Sequence, residues 1–301
     1  MGNGETTLPS TASSEALEMQ RRRKQISTWA RLRRSPGAMI GLTLIVLLLI
    51  TAALANVLAP QGIDEQSLRK GLLPPGGDYP LGTDEFGRDM LSRIIHGSRI
   101  SLQVGIISTA ISSAVGIILG LVAGYFGGRL DNLIQGMVDI SWAFPTVLMA
   151  IFMVAVLGPG LGNVMIAVGL VYWGGFERVV RGQVLSLRER EFVLAARTIG
   201  AHDLSIMIRH ILPNVLSPVI VMMTLMLGDA ILIEATLSFL GMGAQPPTPS
   251  WGSILASGRS YLILAPWVTL FPGIAILLTV LGFNLLGDGL RDALDPRLKN
   301  R

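Results

Sequence analysis

The sequence predicts an all-α, polytopic membrane protein with six transmembrane helices. Three observations carry that expectation. Half of the 301 residues are apolar and only 15% are charged, against roughly 25% in a soluble domain, and the mean hydropathy is +0.57. Apolar stretches close to the about 20 residues needed to cross the hydrocarbon recur along the chain. The basic residues, finally, are concentrated in alternate connections between those stretches.

Residues 1–37 are polar, rich in Ser, Thr and Glu and then basic (Arg21, Arg22, Arg23, Lys24, Arg31, Arg33, Arg34). So little apolar surface cannot build a core, and the expectation is a mostly disordered cytoplasmic tail. Residues 38–58 then run for 21 positions without a charge. At 1.5 Å per residue that covers about 30 Å of hydrocarbon, so this is span one. The basic residues ahead of it and Ala53-Leu54-Ala55 also suit a cleavable signal peptide, a reading that the length of the apolar run disfavours. Further spans are expected at 101–126, 133–157, 161–176, 215–240 and 266–286, of which 161–176, span four of the chain, is short.

Between spans one and two, Thr83 or Asp84 is placed to cap a short helix. Its Phe86, Met90, Leu91, Ile94 and Ile95 would lie on the membrane, with Arg88 and Arg93 among the headgroups. After span five, Pro246, Pro247 and Pro249 stiffen a turn, and Trp251 suits the outer interface. The chain thus divides into the tail (1–37), the first span with a periplasmic segment (38–100), a core of five spans (101–290) and a cytoplasmic C-terminal tail (291–301).

An even number of spans puts both termini on one side of the membrane. The N-terminal tail, the connection at Arg129, the 177–214 loop and the C-terminus hold 18 of the 24 Lys and Arg residues. The positive-inside rule therefore makes those regions cytoplasmic. Topology accounts for the basic balance, and no nucleic-acid partner is needed.

Several chemistries lack their residues. The chain contains no cysteine, hence no disulfide, thiolate metal site or thiol nucleophile. It has no Gly-Lys-Ser/Thr phosphate loop and no Gly-x-Ser-x-Gly elbow. Its three histidines, His96, His202 and His210, lack metal-ligand spacing. No catalytic residue, metal ligand or bound cofactor is expected, and any energy source lies on another subunit. A secondary transporter, the main rival class, would carry inverted repeats with broken helices, and no convincing repeat is visible.

Within span two, Ser108, Ser112, Gly116, Gly120 and Gly124 recur at every fourth position, a stripe that lets another backbone approach closely. Whether that helix belongs to this chain or to a partner is open. Asp139, Asp229 and Glu234 interrupt apolar stretches, where an ionised group costs at least about 2.5 kcal/mol. They face protein or water: either they line a substrate path, with Trp142 and the helix-bending Pro145 beside Asp139, or they make interhelical hydrogen bonds.

The 177–214 loop, with its 38 residues, exceeds what packed helices need. In EFVLAARTIGAHDLSIMIRHILPN (191–214), Phe192, Ala195, Ala196 and Ile199 fall on one helical face while Glu191 and Arg197 point away. Gly200 ends that helix, and Asp203 is placed to cap a second one that Pro213 stops. Such a segment could rest on headgroups, but a face built of small Ala residues suits a protein groove better.

Ala195-Ala196, Gly200 and the later His210-Ile211-Leu212-Pro213 resemble the EAA loop of ABC importer membrane subunits. LGTDEFGRDMLSRIIHGSRISL (81–102), LSFLGMGAQPPTPSWG (237–252) and FNLLGDGLRDALDPRLK (283–299) are similar to the C-type permease subunits of dipeptide and oligopeptide importers, a family that also includes glutathione and nickel permeases. Leu194 departs from the acidic residue of the EAA triplet, and His210 from the usual aliphatic one. The resemblance implies a type I ABC importer permease fold in the bacterial inner membrane. It also implies a B-type permease partner, two ATPase subunits that bind ATP and Mg, and a periplasmic or lipid-anchored binding protein. Glu191, Ala195, Ala196, Arg197, Gly200, Ala201, Asp203 and Pro213 would then form the ATPase-coupling segment.

Overall fold

The computed structural model describes residues 28–63 and 65–294, and all of its regular structure there is helical. Of the expected N-terminal tail, residues 1–27 lie outside the described residues, as do residues 295–301 of the C-terminal one. Helix α1 (Thr28–Leu32) leads into α2 (Pro36–Ala53). Ser35 caps α2 by accepting from the Ala38 amide, and Pro36 occupies the first helical position, where its missing N–H is no loss. The chain is thus helical before residue 38: Leu32 is buried against Ala38 and Ala293, and Arg31 donates to the Ala293 carbonyl at 3.3 Å.

Span one ends at Ala53, earlier than expected, and a single turn, α3 (Ala55–Leu58), follows. Arg99 satisfies the last carbonyls of α2, donating to Ala52 O and to Ala53 O at 2.9 Å, and also donates to the side-chain Oδ1 of Asn56 at 2.7 Å. The short helix expected near Thr83 is instead the first part of α4 (Met90–Phe126), a continuous 37-residue helix capped by Asp89. Thr83 and Asp84 do not cap it. The Asp84 carboxylate accepts from the Phe86 and Arg88 amides and from Arg88 Nε at 2.6 Å, with Arg93 Nε at 3.4 Å. Both guanidinium groups converge on a carboxylate that is only 1% exposed, so Arg88 and Arg93 are buried rather than spread among headgroups.

Span three is broken. Helix α5 (Gly128–Trp142) and α6 (Thr146–Leu157) meet at 94°, with Pro145 immediately before α6. Helix α7 (Leu161–Leu187) outruns the expected fourth span. Next come α8 (Glu191–Thr198), α9 (Asp203–Ser205), a π-helical segment (Ile206–Ile211) and α10 (Leu212–Phe239). Helices α11 (Trp251–Gly258) and α12 (Trp267–Leu294) complete the described chain. Trp251, expected at the interface, is 2% exposed and donates its indole N–H to Ile94 O at 3.0 Å. That bond removes the reason for an indole to seek the headgroups.

The small-residue stripe meets α7 of the same chain. Ser108 and Ser112 donate to Met165 O and Gly169 O at 3.0 and 2.8 Å. A Cβ on Gly120 would stand 2.7 Å from Glu177 O, and one on Gly124 2.7 Å from Val184 Cβ. Small side chains here allow backbone contact. Helix α2 seats on α12 in the same way through Gly41, while α10 packs against α4, α7 and α12. Four described helices are long and apolar enough to cross a membrane, or five if the bent pair counts as one span. Helix α7 is not among them, and its second half carries Glu177, Arg178 and Arg181.

Candidate functional site

Because α7 continues to Leu187, the connection on this side starts at Arg188, and it is tied to the end of α4 at several points. Arg188 Nη1 donates to Gly124 O at 3.0 Å. Within α8, Val193 and Ala196 turn inward, into a cluster with Tyr125, Val180, Val184, Ile206 and Ile211. Of the expected apolar face, only Ala196 is buried. Phe192, Ala195 and Ile199 are exposed, together with Leu194, Glu191 and Arg197. The side that α8 turns to the cluster is instead the one shared by Val193 and Ala196, three residues apart, so the predicted face is rotated outward.

Gly200 has φ +80°, the left-handed conformation that closes a helix. The turn is held by the Gly200 amide donating to Arg197 O at 2.9 Å and by that of Ala201 donating to Ala196 O at 3.1 Å. Asp203 is not a cap; it is the first residue of α9, after His202. Its Oδ1 instead accepts the Tyr125 hydroxyl at 2.6 Å, and the Arg197 guanidinium lies 5.0 Å from the centre of the same ring. Tyr125 therefore holds both sides of the Gly200 turn against α4. Pro213 does not stop the second helix either. It stands in the first turn of α10, directly after the π-helical segment, and the chain runs helically from Asp203 to Phe239.

A polar ladder joins α5 to α7. Arg181 grips Asp131 with two hydrogen bonds of 2.6 and 2.7 Å, a fork geometry that suits guanidinium and carboxylate. One turn along α5, Gln135 donates to Glu177 Oε1 at 2.8 Å. Next, Arg178 pairs with Asp139 at 2.7 Å and lies 3.9 Å from the centre of the Trp142 ring. The ladder ends at the 94° break, where Trp142, Phe144, Pro145, Tyr172 and Met222 line a cavity of about 530 Å³.

The four residues expected along a path are not gathered in one place. Asp139 and Trp142 are exposed; Trp142 lines that cavity, and Arg178 joins it to Asp139. Asp229 is exposed on α10 and is not among the residues that line the cavity. Glu234 does not line a path: it is fully buried, accepting the Ser238 hydroxyl at 2.6 Å. Its position one turn before Ser238 on the packed side of α10 makes it an internal hydrogen-bonding group. Sequence reading missed Tyr125, Asp131, Gln135, Arg178 and Arg181. The four-residue spacing of Asp131, Gln135 and Asp139 could have signalled the ladder, whereas nothing local links Tyr125 to Asp203.

Comparison with known proteins bears on this arrangement. Residues 116–300 match the family described as binding-protein-dependent transport system inner membrane component, and residues 26–75 match the N-terminal TM domain of oligopeptide transport permease C. The dipeptide transport system permease protein DppC of Alkalihalophilus pseudofirmus is 46% identical over 91% of this chain and 92% of its own. The glutathione transport system permease protein GsiD of Escherichia coli is also 46% identical, over 90% of each chain. Among solved structures, an inward-facing conformation of the MetNI methionine ABC transporter aligns with TM-score 0.56 and 18% identity, over 70% of this chain and 98% of that one, a likeness of fold.

Proposed function

The chain belongs to the family of binding-protein-dependent transport system inner membrane components, and from that membership we infer that it is the C-type permease of an ATP-driven importer of di- or oligopeptides. The observation that carries this reading is the two-sided build of α8. Its inner side is fixed to α4 and α7 through Val193 and Ala196, while its outer side leaves Phe192, Leu194, Ala195 and Ile199 uncovered. An uncovered apolar side backed by a rigid scaffold suits a groove on an ATPase subunit. In this reading Glu191, Ala195, Arg197, Gly200 and Ala201 form or orient the coupling surface, Ala196 and Asp203 anchor it, and Pro213 continues it into α10. ATP and Mg are held by two partner ATPases, and this chain performs no hydrolysis.

Movement of α8 would travel by two routes. One is the helical continuity from Asp203 through the π segment into α10. The other is α7 and its ladder to the break at Trp142. ATP binding could bias the path only by engaging α8 differently in its two states. The sixth span in this reading is α7: pairing of its Glu177, Arg178 and Arg181 with α5 offsets much of the cost of charges near the membrane. Six spans put both termini and α8 in the cytoplasm, and a B-type permease completes the path opposite Asp139, Trp142 and Asp229. A periplasmic or lipid-anchored binding protein delivers the substrate.

Glutathione, a peptide itself, is the second reading, favoured by an identity to the glutathione permease equal to that with the dipeptide one. The test is to copurify the importer and measure uptake of Ala-Ala and of glutathione. Phe192→Asp together with Ile199→Asp should abolish ATPase copurification while leaving the permease pair in the membrane; retention of the ATPases would refute the coupling role of α8.

A further inference from the structure

Arg93 is a buried cation whose guanidinium donates no hydrogen bond among the described residues. It is 5% exposed, and its Nε and Nη1 have no hydrogen-bond partner. The one carboxylate oxygen within reach, Asp84 Oδ2, lies 3.4 Å from Nε and is already gripped by Arg88 at 2.6 Å. Glu85 is in the complementary condition: its Oε2 is buried and accepts nothing, while its Oε1 stands 3.9 Å from Arg88 Nη2. Each such group gives up hydration without compensation. Both line one cavity of about 440 Å³, with Phe86 and Arg88 beside them and with Pro246 and Pro247 contributed by the connection between α10 and α11. That volume is in the range of small-molecule sites.

The cavity lies at the start of α4, whose 37 residues extend about 55 Å to the end that Tyr125 ties to Asp203. It shares no residue with the cavity at the helix break. The charges around it cancel, Asp84 and Glu85 against Arg88 and Arg93, and Asp89 is engaged at the start of α4, accepting from the Ser92 amide and hydroxyl. A simple anion would therefore meet Glu85, and a simple cation Arg93. A molecule with both a carboxylate and an ammonium group satisfies the two orphaned side chains together, and Phe86, Pro246 and Pro247 offer apolar surface to the rest of it. We propose that this cavity binds a small zwitterion with an apolar side chain, of the size of a free amino acid, its carboxylate on Arg93 and its ammonium on Glu85. The site is separate from the cavity at the break, and the assignment does not depend on what the importer carries.

The probe is radiolabelled leucine, and the sample is the purified membrane complex in nanodiscs, without the binding protein so that the latter cannot hold the probe. Saturable binding is expected. Two analogues dissect it: 4-methylpentanoate lacks the ammonium group of leucine, and 3-methylbutylamine lacks the carboxylate. Each should compete at least about tenfold more weakly than leucine, the effect of losing one charge-assisted hydrogen bond. In Glu85→Gln the advantage of leucine over 4-methylpentanoate should disappear, and in Arg93→Gln its advantage over 3-methylbutylamine should disappear. Absence of saturable binding, analogues that match leucine on the unmodified complex, or binding indifferent to both substitutions would overturn the proposal.

Should Arg93→Gln fail to assemble, the near-isosteric Glu85→Gln carries the test, since the Glu85 side chain is the more exposed of the two at 15%. The analogue series on the unmodified complex needs no substitution. Leu-Leu separates this site from transport: a cavity that takes the dipeptide and not leucine would belong to the transported molecule and overturn the assignment to a free amino acid.

Discussion

At the residue scale, Gly200 and Tyr125 carry the turn between α8 and α9. Gly200 has φ +80°, and a Cβ there would meet nothing within 4 Å, so the obstacle to substitution is backbone strain rather than space. Gly200→Leu should therefore cost about 1–2 kcal/mol locally. It should uncouple ATP hydrolysis from uptake while membrane insertion stays normal; wild-type transport by the variant would count against a rigid turn. Tyr125→Phe removes the hydrogen bond to Asp203 and keeps the ring under Arg197. A loss of about 1 kcal/mol is expected, read as a lower melting temperature of the purified complex and faster proteolysis between Arg190 and Ser205. Gly200 was legible in the sequence, because a glycine directly after an amphipathic run supplies the left-handed residue on which helices close. Asp203 was misread: capping is a local inference, and its actual partner is 78 residues away.

At the element scale, the contact of α4 with α7 is the tightest constraint. The fourfold spacing of Ser108 through Gly124 announced a close helix contact, and only the packing identified the partner helix. Gly120→Leu drives a side chain into Glu177 O and Val180, so overpacking should cost about 1–3 kcal/mol or more. Less folded protein in the membrane and a lower detergent melting temperature are the expected readouts, while Gly162→Ala, which meets nothing within 4 Å, should leave both unchanged. The α5–α7 ladder behaves differently. Arg181→Gln strands Asp131, whose side chain is 12% exposed, and should destabilise by about 3 kcal/mol; adding Asp131→Asn should recover much of that loss. A double-mutant cycle measuring no coupling would remove the ladder from the account. Span three itself was legible as bent, since Pro145 cannot donate an amide, but the angle was not.

At the scale of the whole molecule, orientation is decided by where charge falls. Glu189→Cys on this cysteine-free chain should react with impermeant maleimide only from the cytoplasmic side, and Glu65→Cys only from the other; the reverse pattern would invert the topology. The sequence by itself determined the helical class, the alternation of basic connections and the Gly200 turn, because hydropathy, topogenic charge and backbone conformational preference act over a few residues. It could not determine that α7 outruns its apolar stretch, that Val193 displaces Phe192 from the inner face, or that Glu234 is internal while Asp229 stands open. Those outcomes depend on which helices meet and on which side. The tertiary structure alone decides them, since a charged residue in an apolar helix takes its meaning from what packs against it: Arg181 of α7 for Asp131 of α5, the packed side of α10 for the fully buried Glu234, and for Asp229 no hydrogen-bond or ion-pair partner among the described residues of this chain.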